Sequence, residues 1–297
     1  MTSPTVIPFA RRERLLKKAR AIMTRPDRFF EDPGPAVSAL VRALPLADED
    51  DKNTIIALLG STNADAVVWP LYRIMTDASE TEETRFHAAM QLSLTLAGVP
   101  DTTDIGRRLE ADLAHPDPVF RRNAAVAYGW EGNLRATAFL MKMIRDGDPD
   151  VREDAVTALA NLNLDSVLPH LRACYDAGGV DQKRVILYNL WRVTRQREAV
   201  IDWVIAALSE PDDGLRLDAM IVFSTLADPA GYTGVYRASL NDPSAMVREL
   251  SLRQLERLMP DLRQTVREDV MTLCDDPHPQ IRVMARRFLM ATDPQRR

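Results

Sequence analysis

A motif that returns about every 32 residues constrains this chain more than any other feature. Its clearest copy is Asp148-Pro149-Asp150-Val151-Arg152-Glu153-Asp154-Ala155-Val156-Thr157-Ala158-Leu159-Ala160. Asp148 suits a helix N-cap, Pro149 the first helical position, and the acids that follow the positive end of a helix. Val151, Ala155 and Leu159 recur four apart and form one apolar stripe. So short a helix cannot bury that stripe alone, and it must stack on neighbours built the same way. Aligned on the motif arginine, the copies fall at Lys52, Arg85, Arg121, Arg152, Arg184, Arg216, Arg248 and Arg282, spaced 33, 36, 31, 32, 32, 32 and 34 residues.

Each copy predicts two helices. Asp117-Pro118, Asp148-Pro149, Asp242-Pro243 and Asp276-Pro277 mark helix starts, and Asp212 takes the cap position before Arg216. Turns follow at Gly98-Val99-Pro100-Asp101, Gly129-Trp130-Glu131-Gly132-Asn133 and Asn161-Leu162-Asn163. Second helices are expected next, for example over 165–176 and 198–210. The second helix after Arg216 is weakened by Pro229, Gly231 and Gly234. The last copy supplies one helix, 279–290, and ends at Asp293-Pro294 as a terminal cap. With aromatics at only 6%, closely packed short helices are expected and no strands.

The first thirty residues differ, with eight basic and two acidic side chains in a chain whose net charge is −5. Residues 1–8 read as loose. Phe9 to Met23 reads as a basic amphipathic helix carrying Arg11, Arg12, Arg14, Lys17 and Lys18, either an end cap or a partner- or membrane-facing element. A further short helix is expected over 37–44. The expected division is capping helices over 1–47 and one continuous repeat domain over 48–297. Cys174 and Cys274 lie about three repeats apart, too far for a disulfide, which together with the missing leader and membrane-length apolar run predicts a cytoplasmic protein.

The recurring D-P-x-V-R-x-x-A-x-x-A-L pattern resembles the HEAT repeat of the short bacterial type found in phycobilisome-lyase-like proteins, over about residues 48–290. The resemblance implies an all-α fold, a right-handed α-α superhelix of about seven helix pairs plus capping helices. It implies that the second helices line the concave surface and that the motif arginine is a packing residue. It is poor in activity, because scaffolds, chromophore lyases, a hydroxylase and DNA glycosylases share the repeat.

Catalytic signatures are missing: there is no G-x-x-x-x-G-K-[ST], G-x-S-x-G, C-x-x-C or H-E-x-x-H. Neither catalytic residue, cofactor nor metal site is expected. Glu83 and His87 are four apart, but two ligands do not make a zinc site. Asp146-Gly147-Asp148-Pro149-Asp150 and Asp48-Glu49-Asp50-Asp51 lack the glycine and distal glutamate of a calcium loop. The column Arg85, Arg121, Arg152, Arg184, Arg216, Arg248 and Arg282 reads as a structural ladder, each bridging to an acid of the adjacent repeat, rather than as a phosphate reader.

In repeat register Trp191, Trp203 and Trp69 fall at core positions. Trp130 falls in a turn between glycines, either as an exposed binding anchor or packed under its own loop. The expected function is a non-enzymatic scaffold that binds a protein or peptide on its concave surface, with Trp130 and the basic segment Arg11–Arg20 as candidate contacts. The alternatives are a bilin lyase-like subunit and a HEAT-like DNA glycosylase, the latter disfavoured by the acidic balance outside the N-terminus.

Overall fold

A computed structural model describes residues 9–31 and 33–292 of the chain; the segment 1–8 and the end at Asp293-Pro294 lie outside the described residues. All regular structure among the described residues is helical. Two compact units form, Met1–Leu162 and Asn163–Arg297.

The first unit opens with α1 (Phe9–Met23), α2 (Pro26–Glu31) and α3 (Pro33–Ala43), followed by a 3₁₀ turn at Leu44–Leu46. Three helix pairs follow: α4 (Glu49–Gly60) with α5 (Asp65–Thr76), α6 (Glu82–Leu96) with α7 (Thr103–Asp112), and α8 (Pro118–Tyr128) with α9 (Ala136–Met143). The unit ends with α10 (Pro149–Asn161). Helix α1 lies on α3 and α4 and buries Leu16 and Ala19. Arg12 donates to the Leu46 carbonyl at 3.1 Å, and Arg20 bridges to Asp51 at 2.7 Å and to Asp48 at 3.3 Å.

The second unit opens with α11 (Val167–Ala177) and continues with α12 (Val180–Asn189), which ends in a 3₁₀ turn at Leu190–Arg192. Then come α13 (Arg197–Ala207), α14 (Asp213–Leu226), α15 (Thr233–Ser239), α16 (Ala245–Leu255), α17 (Pro260–Thr265), α18 (Arg267–Thr272) and α19 (Pro279–Ala291). Helix α15, placed after Pro229 and Gly231, has only 7 residues.

One guanidinium arrangement ties loop to loop. Arg121, Arg216 and Arg248 each donate from Nη1 to the two carbonyls just before their own helix. The acceptors are His115 and Pro116, Glu210 and Pro211, and Asp242 and Pro243, at 2.8–3.0 Å. Nε and Nη2 of the same arginines clasp an acid in the following inter-repeat loop, Asp146, Asp242 and Asp276 respectively, at 2.7–3.1 Å. That acid accepts in turn the backbone N–H two residues on, from Asp148, Ser244 or His278. Asp242 and Asp276 are therefore not the helix caps that their Asp-Pro dipeptides suggest. The N-caps there are Ser244 and His278, whereas Asp117 and Asp148 do cap their helices.

The other four arginines of the column depart from this arrangement. Arg152 and Arg282 donate to the two carbonyls of their own loops, Asp146 and Gly147 or Asp276 and Pro277. At Arg184 the register is off by one: Lys183 takes the ladder place and reaches Glu210 at 3.1 Å, as Lys52 reaches Glu80 at 2.5 Å. Arg184 instead bridges to Asp218 on the next first helix, as Arg122 does to Asp154. Arg85 is buried, donates Nε to the Met75 carbonyl at 3.2 Å and lies 4.7 Å from the centroid of Phe120. Its Nη2 is buried without a partner. Where the loops before α10, α16 and α19 place the clasped acid, the loop before α8 has His115, which stacks on Phe120 and accepts the Asp117 N–H at Nδ1.

Within each unit the first helices stack directly on one another, α4 on α6, α6 on α8 and α8 on α10, then α12 on α14 and α14 on α16. Small residues allow this: Ala88, Ala89, Ala124, Ala125 and Ala155 are fully buried. A Cβ on Gly129 would stand 2.4 Å from the Ala158 Cβ and 2.8 Å from its Cα, so the end of α8 touches α10 at backbone distance. Second helices pack on the following first helix rather than on each other, and grooves open between them.

The Arg121 guanidinium holds the Asp146 carboxyl below its usual range. Burial pushes the Asp276 carboxyl up, but the hydrogen bonds from Arg248 and the His278 N–H outweigh it and leave its pKa lowered. A lowered folded-state pKa means stability that is complete above the unfolded value, about 3.9, and lost as pH falls through the folded value. Acid unfolding below about pH 4 is therefore expected to be shallower in Asp276→Asn than in the wild type, measured by circular dichroism. Arg248→Met, which strands Asp276, is expected to cost about 3–5 kcal/mol in urea titration. His115→Asp supplies Arg85 with the missing acid and is expected to stabilise by about 1 kcal/mol.

Candidate partner-binding face

The Lys183 register sets what α12 shows to solvent. Ile186, Leu187 and Leu190 turn inward and are fully buried, while Tyr188 is 59% and Trp191 41% exposed. On α14, which packs against α12, Ala219, Met220 and Phe223 are buried and Ile221 is 39% exposed. Tyr188, Trp191, Ile221, Val222 and Thr225 together line a shallow groove of about 280 Å³. The Arg192 guanidinium lies 4.4 Å from the centroid of Trp191 and donates to Asn189 at 3.0 Å. Burial draws its pKa below the ordinary arginine value, yet a guanidinium stays charged at any physiological pH. The chemistry offered is a rigid aromatic and aliphatic patch with a cation at its edge, the composition that carries binding energy at protein interfaces. In the first unit, α6 exposes Met90 and Leu94.

The grooves between second helices are different. One of about 470 Å³ lies between α11 and α13 and is lined by residues that include Leu168, Arg172, Gln196 and Trp203. Its one cation is engaged: Arg172 lies 5.1 Å from the Trp203 ring and pairs with Asp176 at 3.1 Å. The tyrosines of this layer are ties rather than reagents. Tyr72 donates to Asp112 at 2.6 Å and accepts from Arg108 at 2.8 Å; burial and the Asp112 hydrogen bond push its hydroxyl to about 12. Burial and the hydrogen bond to Glu210 likewise raise Tyr175. Neither phenol supplies a nucleophilic phenolate near neutral pH.

Trp130 is 8% exposed, and its ring meets Tyr128 edge-on at 5.6 Å. The turn around it is tied down by Asn133, which donates to the Tyr128 carbonyl at 2.7 Å, and by the Gly132 N–H donating to the Leu162 carbonyl at 3.0 Å. Of the two sequence alternatives, the structure has the tryptophan packed under its loop. Trp203 is buried, but Trp69 and Trp191 are not the core residues that the alignment predicts. Trp69, 43% exposed, meets Tyr72 edge-on and borders a groove also lined by Val99, Asp101, Asp104 and Ile105. Trp191 is misplaced because the column was aligned on Arg184 and not on Lys183. Spacing could not decide between two adjacent cations; only the burial of Leu190 does.

On α1, Arg11, Arg12, Arg14, Lys17 and Lys18 are all exposed. His87 hydrogen-bonds Asn53 at Nδ1 and Gln91 at Nε2, and burial lowers its pKa. Among the described residues no group of three or more His, Cys, Asp and Glu side chains is placed to hold a metal, and no helix is long and apolar enough to cross a membrane.

Stacked helix pairs clasped loop to loop define an α-helical repeat protein. Residues 107–191 match the family model of HEAT repeats. No curated protein sequence matches it. Among solved structures, Kap121p bound to RanGTP aligns with a TM-score of 0.52 at 12% identity, covering 96% of this chain and 40% of that one. The likeness is one of fold: a helical solenoid more than twice as long. An engineered protein aligns at TM-score 0.38 and 18% identity over 95% of this chain and 84% of that one. The CpcE–CpcF complex of phycocyanin lyase from Nostoc sp. PCC7120 aligns at 0.42 and 17% over 86% and 93%.

The opposite burial of the two tryptophans gives opposite expectations. Trp130→Ala should lower unfolding stability by about 3–5 kcal/mol through the cavity it leaves, whereas Trp191→Ala should change it by less than about 1 kcal/mol. Urea denaturation of the two variants checks both.

Proposed function

We propose that this chain is a non-enzymatic HEAT-repeat scaffold that binds a protein or peptide segment on the face of its first helices. The supporting observation is the exposed cluster Tyr188, Trp191 and Ile221 on α12 and α14. Packing does not ask for large apolar side chains there: the equivalent outward positions on α4, α8 and α10 hold Ala57, Val126 and Thr157. Exposed aromatics that serve no core are the usual anchors of an interface. The raised tyrosines and engaged histidine offer no assembled catalytic constellation that would compete with this reading.

The test is affinity capture of the tagged full chain from its own cytosol beside the double variant Tyr188→Ser, Trp191→Ser. A stoichiometric partner retained by the wild type and lost by the double variant is expected, with melting temperatures within a few degrees of each other. A partner retained equally by both, or no partner, would sink the proposal.

A further inference from the structure

The cations of α1 divide into two sets. Arg12 and Arg20, on the edge toward α4, are engaged by the Leu46 carbonyl and by Asp51 and Asp48. Arg11, Arg14, Lys17 and Lys18 are exposed and bond to no described residue. At about 100° per residue these four fall on the side of the helix away from Leu16 and Ala19, which are buried where α1 packs on α3 and α4. Arg11, Arg14 and Lys18 stand three and four residues apart on one stripe, with Lys17 beside it. The acids near α1 lie elsewhere. Glu13 is seven residues before Arg20 and so on its edge, where it adds to Asp51 and Asp48 around that guanidinium. Asp48, Glu49, Asp50 and Asp51 lead into α4, beyond the same edge. Helix α3, also packed on α1, has no acid and exposes Arg42. Exposed Asp27 of α2 stands two residues from exposed Arg25, past the end of α1.

We infer that the outward face of α1 docks on an anionic membrane surface. A cluster of four or more Lys and Arg side chains on one helix face suffices for such adsorption, each strengthening it by about fivefold near a charged leaflet. The apolar stripe of α1 is committed to α3 and α4, so the helix does not insert; it rests on the headgroups through charge alone, reversibly and with a steep dependence on salt. Between its cations the face carries only Ala10 and Ala21. It therefore presents no large apolar side chain there to anchor a protein partner, and no ring, amide or hydroxyl with which to stack on or read a base. A fluid leaflet suits a face that offers only charge, because its anionic lipids move sideways and gather under the side chains, whereas the phosphates of a duplex or the acids of a folded protein stand at fixed spacings. The chain is net −5 and its first thirty residues are net +6, so the remainder, net −11, is repelled by the same leaflet and the contact is confined to this face.

The experiment is co-sedimentation of the full chain with sucrose-loaded vesicles, of phosphatidylcholine alone or with about a third of phosphatidylserine. The wild type is compared with the double variant Arg14→Glu, Lys18→Glu, with the charge-keeping double variant Arg14→Lys, Lys18→Arg and, as a control elsewhere, with Trp191→Ala; melting curves confirm that all are folded. Binding is expected on the phosphatidylserine vesicles only. It should fall about twentyfold or more in the charge-reversed variant, be lost between about 50 and 300 mM salt, and stay unchanged in the other two. No binding to the anionic vesicles at low salt, equal binding to both vesicle types, or equal binding by the charge-reversed variant would overturn the inference. Loss of binding in Trp191→Ala would place the contact elsewhere and overturn α1 as the site. A short DNA duplex or polyglutamate is then added at the same total charge as the phosphatidylserine. Retention on the vesicles supports the leaflet; release by the duplex would reassign the face to nucleic acid, and release by polyglutamate to an acidic protein segment.

Discussion

Three inter-repeat loops of this protein are each held by a guanidinium, that of Arg121, Arg216 or Arg248, which belongs to two repeats at once. Nη1 of Arg121, Arg216 or Arg248 satisfies two loop carbonyls that no helix can reach, and the other donors clasp the acid of the following loop. Arginine is suited to this because its planar fork offers five donors in fixed directions. Lys52 and Lys183, with a single ammonium, make only the acid half. The clasp is more than an ion pair on a surface, since the Arg248 and Asp276 side chains are both buried and each satisfies backbone groups besides the other. Loop order and repeat stacking are therefore one interaction, and the helices are positioned by it.

That constraint makes the two helix layers unequal. The clasp draws successive first helices together, and alanines and Gly129 let their backbones approach. Second helices have no such tie. They are braced by tyrosine–carboxylate bonds such as Tyr72 to Asp112 and Tyr175 to Glu210, which span a gap instead of closing it. Large side chains are tolerated on the outward side of the first helices only because nothing packs over them. Tyr188 and Trp191 occupy those positions and stay exposed, whereas Trp130 is wedged against Tyr128.

Substitutions in the clasp show its economy. His115 stands where other loops have an acid, and it keeps the acid's local task by accepting the Asp117 N–H at Nδ1. It cannot do the distant one, so Arg85 turns to the Met75 carbonyl and the Phe120 ring and leaves Nη2 unpartnered. Arg122 and Arg184 add a second bridge, one position on from the ladder, to Asp154 and Asp218 on the following first helices. Burial raises the Asp154 pKa despite Arg122, the mark of a carboxylate kept inside for its partner and not for solvent chemistry.

The sequence alone determined the all-helical fold, the repeat period, the turn positions and the span of the basic helix Phe9–Met23, because these depend on local signals: capping acids, prolines, glycines and four-residue apolar spacing. It also placed Trp203 in the core. Tertiary structure decided everything that turns on a shift of one or two residues. Asp148-Pro149 and Asp242-Pro243 are the same dipeptide, yet one aspartate caps a helix and the other is clasped by an arginine. Lys183 and Arg184 are adjacent cations with near-equal claims to the ladder, and only the packing of Leu190 chooses between them, sending Trp191 outward by one position. A residue on a helix moves about 100° around the axis with each step, so an error too small to disturb the repeat count is large enough to turn an expected core residue into an exposed one.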